Sequence, residues 1–175
     1  MKQMTDEHIM QKVAEGNVAM LQILFERYHK QIYIFLYKMS GDKMLSEDLT
    51  QEVFYRLIKY KSSYNFDKKF VTWIYTIARN NLNTHYQRQK ENHLALEGFE
   101  HKLVEPQASK NEEYSHLMNV LNRMEASDRE LLILNRFQEI KYAEMAEILG
   151  STTGAVKTKV CRALKKLKTL YLQKV

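Results

Sequence analysis

The sequence predicts an all-α protein of two small helical domains joined by a flexible linker, the C-terminal one a helix-turn-helix. Three observations lead there. Apolar residues recur every three or four positions along most of the 175-residue chain, and they make up 45% of it. Only five glycines and one proline interrupt them, as suits long helices. The stretch YAEMAEILGSTTGAVKTKVCRALKKL from Tyr142 to Leu167 reads as two helices around a tight turn.

A first helix is expected after a Thr5 cap, with Asp6 and Glu7 at the positive end of its dipole. Met10, Ile9 and Val13 form its stripe, and Gly16-Asn17 breaks the pattern. A second helix should run to about Met39, with Leu21, Leu24, Phe25, Tyr28, Ile32, Phe35 and Leu36 turned inward. Gly41-Asp42 marks a turn. The third helix is expected from Ser46 to about Tyr60, with a core stripe of Leu49, Val53, Leu57 and Tyr60. Asp48, Gln51, Glu52 and Tyr55 fall together on its opposite side, with Phe54 and Ile58 at the flank. Apolar groups beside carboxylates suit a partner-binding surface, although spacing alone is equally compatible with a solvated acidic face.

The loop 61–69 is rich in Ser, Asn, Lys and aromatic residues, and a fourth helix follows it. Phe70, Trp73, Ile74, Ile77 and Asn81 project from one side of that helix, with Ala78 at the edge. Thr72, Tyr75, Thr76, Arg79, Asn83 and Tyr86 project from the other. Such a surface can hydrogen-bond phosphates and bases, while Tyr64 and Phe66 of the loop can stack on unpaired bases. Trp73 belongs mainly to the core.

Weak periodicity and the only proline, Pro106, mark 91–112 as the linker between domains 1–90 and 113–175. The segment is mildly acidic, with six Glu against three Lys between Lys90 and Glu113. Tyr114, Leu117, Met118 and Leu121 pattern the next helix. Ser127 with Glu130 has the form of a capping box opening a helix from Asp128 to Phe137.

In the helix-turn-helix, Met145, Ala146 and Leu149 supply the apolar face of the first helix and Gly150 ends it in a left-handed turn. Ser151, Thr152 and Thr153 can cap the second. Val156, Val160, Ala163, Leu164 and Leu167 line its inner side, leaving a face that can enter a major groove. Beyond Ser151 the chain carries Lys157, Lys159, Arg162, Lys165, Lys166, Lys168 and Lys174 without one Asp or Glu, so the net charge of +6 is concentrated here. A localised positive end attracts a polyanion through counterion release.

Other classes find little support. The six histidines lack the short spacings of a metal site, and no metal or other cofactor is expected. His85, His93 and His101 recur every eight residues, the latter two in the expected linker. No phosphate-binding glycine loop or nucleophile motif is present, so the chain is not expected to be an enzyme. The lone Cys161 excludes an internal disulfide and has no CxxC partner, although its basic helix could favour thiolate. The longest strongly apolar run, Ile32 to Tyr37, is too short to span a bilayer, and Met1 to His8 is polar and acidic, unlike a signal peptide. A cytoplasmic protein is expected.

Three segments together resemble the extracytoplasmic-function (ECF) sigma factors, the small two-domain members of the sigma-70 family of bacterial transcription initiation factors. SEDLTQEVFYRL is similar to the polymerase-binding helix of that family, FVTWIYTIARN to its promoter-melting helix, and DRELLILNRFQEIKYAEMAEILGSTTGAVKTKV to its C-terminal DNA-binding domain. The resemblance spans about 6–88 and 114–170. It implies that Asp48, Gln51, Glu52 and the neighbouring Tyr55 dock on core RNA polymerase. It further implies that Tyr64, Asn65, Phe66, Lys68, Lys69, Thr72, Thr76, Arg79, Asn80, Asn83 and Tyr86 face opened −10 DNA. Duplex −35 DNA would be read by Thr152, Thr153, Ala155, Lys157, Thr158, Cys161 and Arg162. An anti-sigma factor is implied as a further partner. The chain departs from the family pattern at Glu139, where glycine is common, at Lys141, where a Ser or Thr cap is frequent, and at Ser151, where an apolar residue is usual. Those departures imply a less tightly capped helix from Tyr142. The rival reading is a stand-alone helix-turn-helix regulator, which leaves the Asp48–Glu52 and TWIYTIARN segments without a role.

Overall fold

The computed structural model describes residues 4–95 and 111–173, and every described element is helical. The chain divides into two compact units, one holding α1, α3, α4 and α2 as far as Tyr37, the other holding α5 to α8 together with residues 38–41.

In the first unit, α1 (Asp6–Ala14) starts as the sequence requires: the Thr5 hydroxyl oxygen accepts from the His8 amide at 3.3 Å. Gly16 takes φ 111° and leads into a 3-10 turn, Val18–Met20. The long α2 (Leu21–Ser40) buries Leu24, Tyr28, Ile32, Phe35 and Leu36. Burial of each such side chain is worth about 1.5–3 kcal/mol. Phe25 departs from expectation. It lies at a stripe position, yet it is 44% exposed; the edge of Phe54 meets it at 4.9 Å between ring centroids.

Helix α3 (Lys43–Lys59) begins before Ser46. Asp42 is its cap, accepting from the Leu45 amide at 3.0 Å, while the Ser46 hydroxyl donates back to the Asp42 carbonyl as a buried interior residue. Leu49, Val53 and Leu57 fill the core as expected. Tyr60 does not: it ends the helix with φ −107°, so its ring leaves the stripe and is 47% exposed. Phe54 is buried instead of lying on the exposed flank.

A 3-10 turn, Lys61–Ser63, precedes α4 (Phe70–Ala95). This helix continues past the expected domain boundary at residue 90, because QRQKENHLA contains good helix formers and neither Gly nor Pro. His93 is therefore helical, whereas His101, Pro106 and most of the expected linker lie outside the described residues. Tyr75, expected on the outer side of α4, is 1% exposed, its ring edge-to-face with Phe35 at 5.6 Å.

In the second unit, α5 (Glu112–Arg123) is capped by Asn111, whose side-chain oxygen accepts from the Glu113 and Tyr114 amides. Helix α6 (Ala126–Leu132) starts earlier than expected and without a side-chain cap. The Ser127–Glu130 box does not form, since Ser127 already lies inside the first turn and Glu130 is buried. A π-helical turn, Ile133–Phe137, continues α6, and Glu139 then takes φ 55° to reverse the chain. Asn135 stabilises the reversal by donating to the Ile140 carbonyl at 3.1 Å.

Helices α7 (Tyr142–Leu149) and α8 (Thr153–Leu172) form the helix-turn-helix. At the start of α7, Glu144 accepts from the Lys141 amide at 3.2 Å. Lysine has no acceptor to return the contact, so only half of a capping box exists. Gly150 at φ 62° lets the Ser151 amide reach the Ala146 carbonyl at 2.9 Å, closing the helix in a Schellman arrangement. Ile148, absent from the expected face, is buried with Met145 and Ala146.

Candidate nucleic-acid and partner interfaces

The outer side of α3 presents Asp48, Gln51 and Tyr55 to solvent, with Ile58 exposed one turn beyond Asp48–Tyr55. Glu52 is less open. Its carboxylate accepts from the Arg56 Nε at 2.7 Å, an i,i+4 pair of a kind worth a few tenths of a kcal/mol at a half-exposed site. Ile58 is the exposed apolar neighbour of this acidic strip on α3, and Phe25 of α2, also exposed, meets Phe54 of the same helix. Phe25 stacks on His29 at 4.7 Å with the rings 7° from parallel. Sequence reasoning missed Phe25 here because its helical angle coincides with the core stripe; its pairing with Phe54 across to α3 is a tertiary fact.

The loop before α4 is held by short-range bonds. Asn65 accepts from the Asp67 amide at 2.9 Å through its side chain and from the Lys68 amide at 3.0 Å through its carbonyl, making an Asx turn. Phe66 stands at the tip, 48% exposed, with Lys68 and Lys69 also exposed. Tyr64 is not available for stacking as expected. It is 4% exposed, its ring packs 4.9 Å from Trp73 and 5.1 Å from Phe66, and its hydroxyl donates to the Lys68 carbonyl at 2.6 Å. Burial pushes its phenol well above the ordinary range, and the nearby carboxylates of Glu7 and Asp6 add to the effect.

Along α4, Asn80, Asn83 and Tyr86 are exposed, and Thr76 and Arg79 are half-buried. Thr72 is turned inward: it is 4% exposed and donates to the Lys69 carbonyl at 2.7 Å. The Thr76 hydroxyl donates to the Thr72 carbonyl at 2.6 Å. An aromatic loop tip beside lysines, followed along α4 by asparagines and a second exposed aromatic side chain, is suited to a strand whose bases are splayed out.

In the second unit, the Thr152 hydroxyl oxygen caps α8 by accepting from the Ala155 amide at 3.2 Å. Val156, Val160 and Ala163 anchor the helix from below. Thr153, Lys157, Thr158, Cys161 and Arg162 remain exposed, with Ala155 half-buried. The Thr158 hydroxyl donates to the Gly154 carbonyl at 3.1 Å, leaving its lone pairs outward. Lys166 is not part of a free basic strip. It donates to Asp128 at 2.6 Å, a bond that raises its ammonium pKa with help from the charge of Asp128.

Comparison with known proteins joins these surfaces. The chain matches the family model for sigma-70 region 2 over residues 24–92 and that for sigma-70 region 4 over residues 116–167. Together they cover most of the chain, and its curated relatives include several ECF RNA polymerase sigma factors. The chain belongs to the ECF group of the sigma-70 family. It is 27% identical to the ECF RNA polymerase sigma factor BldN of Streptomyces coelicolor over 93% of this chain and 64% of that protein. It is 29% identical to the ECF RNA polymerase sigma factor SigM of Bacillus subtilis, over 85% of this chain and 93% of the relative. Its fold is similar to that of the sigma factor RpoE of Bartonella quintana, solved with the anti-sigma factor NepR. That match has a TM-score of 0.75 at 21% identity and covers 88% of this chain and 98% of the other. CnrH, solved with the cytosolic domain of CnrY, matches with a TM-score of 0.73 at 19% identity, over 94% and 96%.

Region 2 of this sigma factor therefore spans most of α2 together with α3 and the greater part of α4, and region 4 spans nearly all of the second unit; α1 precedes both matched segments. A family of promoter-specific initiation factors acting with RNA polymerase is supported over a stand-alone regulator. Among the described residues there is no cluster of metal-ligating side chains, and no helix is long and apolar enough to cross a membrane.

Proposed function

We propose that this sigma factor docks on core RNA polymerase through Asp48, Gln51, Glu52 and Tyr55. Phe66, Asn65, Lys68, Lys69 and the outer side of α4, with Thr76, Arg79, Asn80, Asn83 and Tyr86, hold one strand of opened −10 DNA. Helix α8 reads the −35 duplex with Thr153, Ala155, Lys157, Thr158, Cys161 and Arg162, behind the Thr152 cap. Tyr64 and Thr72 act from beneath, shaping the loop and the start of α4. The observation that carries this reading is the presence in one chain of two surfaces of different chemistry: an aromatic and lysine loop suited to unpaired bases, and a capped, basic helix suited to a major groove. A repressor or activator that binds duplex alone has no use for the first.

No bond is made or broken by such a factor, so this chain is not an enzyme, and its site of action is the cytoplasm where polymerase works. The linker 91–112, its start shifted by α4 to beyond Ala95, lets the two units engage separate promoter elements. An anti-sigma factor, as NepR is in the RpoE complex, is the expected regulator. Reconstitution with core polymerase tests the function: promoter-specific transcripts are expected only when this chain is present. Binding to duplex DNA without any association with core polymerase would sink it.

A further inference from the structure

We infer that Glu7 of α1 is a positioning residue for the base-capture loop, locking the start of α4 so that Phe66 is presented in a fixed place. The inference rests on the reading that loop 61–69 and α4 hold opened DNA. At the sequence level Glu7 is only a first-turn acid that complements its own helix dipole. Tertiary structure gives it another task. Its Oε1 accepts from the Phe70 amide at 3.1 Å, satisfying one of the otherwise unpaired N–H groups at the start of α4 from 63 residues away.

The neighbouring Asp6 anchors the helical turn that carries Glu7. Asp6 is gripped by Arg27 and by the Tyr28 hydroxyl of α2, and Arg27 also donates to the Met4 carbonyl at 3.1 Å. Tyr28 in turn meets the Phe70 ring edge-to-face at 5.2 Å. Thus α2 holds Asp6, Asp6 holds the first turn of α1, and Glu7 of that turn holds Phe70. On the loop side, Tyr64 lies 6.2 Å from Phe70 and 5.1 Å from Phe66 and lies close enough to Glu7 to feel its charge. Phe70 is fully buried, so its amide has no easy recourse to solvent if the carboxylate is removed. Residue 7 lies before the segment matched to region 2, so this brace is supplied by a part of the chain that the family model does not span.

Glu7→Ala and Glu7→Gln in the full-length protein test the role, since glutamine keeps an acceptor and alanine does not. Amide hydrogen exchange over 64–72 is expected to quicken about tenfold in Glu7→Ala and to stay within about twofold of the parent in Glu7→Gln. With core polymerase and a promoter on which the parent initiates, permanganate reactivity of −10 thymines should fall with Glu7→Ala and be largely kept with Glu7→Gln. Core affinity should be unchanged in both. Unaltered exchange in Glu7→Ala, unaltered promoter opening despite faster exchange, or an equal loss of core affinity overturns the inference. If the parent holoenzyme initiates on no promoter, the functional reading fails instead, while the exchange measurement still decides whether Glu7 holds the loop.

Discussion

Glu139 shows how one side chain can be at odds with its backbone. Its φ of 55° places a non-glycine residue in the left-handed region, where the Cβ crowds the carbonyl that follows. The reversal between the π-helical turn and α7 demands that geometry, and Asn135 and Ile140 hold it. Glu139→Gly should therefore stabilise the protein by about 0.5–1 kcal/mol, the relief of strain outweighing the greater freedom of glycine in the unfolded chain. Urea denaturation of both proteins measures it, with a higher midpoint expected for the variant; a lower midpoint would show that the side chain contributes more than it strains. The resemblance marked this position from sequence, since glycine is common there. Sequence alone had no means of seeing that Tyr64 is buried: aromatic residues in a polar loop look alike whether they face solvent or, as here, pack on Trp73.

At the scale of the element, α3 separates stability from recognition by its two sides. Ser46, Leu49, Val53, Phe54 and Leu57 are buried, while Asp48 and Gln51 spend no burial energy on the fold. Asp48→Arg should consequently leave thermal stability within about 0.5 kcal/mol. It should weaken core polymerase binding by at least about tenfold, because a reversed charge repels where a carboxylate attracts. Competition for core polymerase against the parent protein reads the effect directly. Equal affinity would remove Asp48 from the docking surface. The helical period made this division legible in advance, but not the helix start. Asp42 and Ser46 are both competent caps, and the choice fell to Asp42 because the Ser46 hydroxyl bonds back to the Asp42 carbonyl.

Across the whole molecule, the first unit is tied together by buried phenols. Tyr28 is pushed upward by burial first and by its bond to Asp6 second, and Tyr75 is pushed upward by burial alone. Both stay protonated in the folded protein at pH values where an unfolded chain, with phenols near the ordinary value of about 10, has released its protons. The unfolded state then binds fewer protons than the folded one, so stability falls as pH rises through about 10 and continues to fall toward the folded-state values. Urea midpoints at pH 8 and at about pH 10.5–11 should show that decline, and Tyr75→Phe should reduce it. A flat profile would mean that these phenols are not the groups that limit alkaline stability.

The sequence by itself determined the all-helical class, the helix-turn-helix and the polar sides of α3 and α8, because a 3.6-residue period fixes which side chains share a side. Tertiary structure alone decided that Glu7 of α1 bonds the start of α4, that Phe25 meets Phe54 of α3, that Lys166 is engaged by Asp128, and that Tyr64, Thr72 and Tyr75 lie beneath the surface. Those outcomes depend on which elements meet, often across dozens of residues, and periodicity within one helix carries no information about the neighbour it will find.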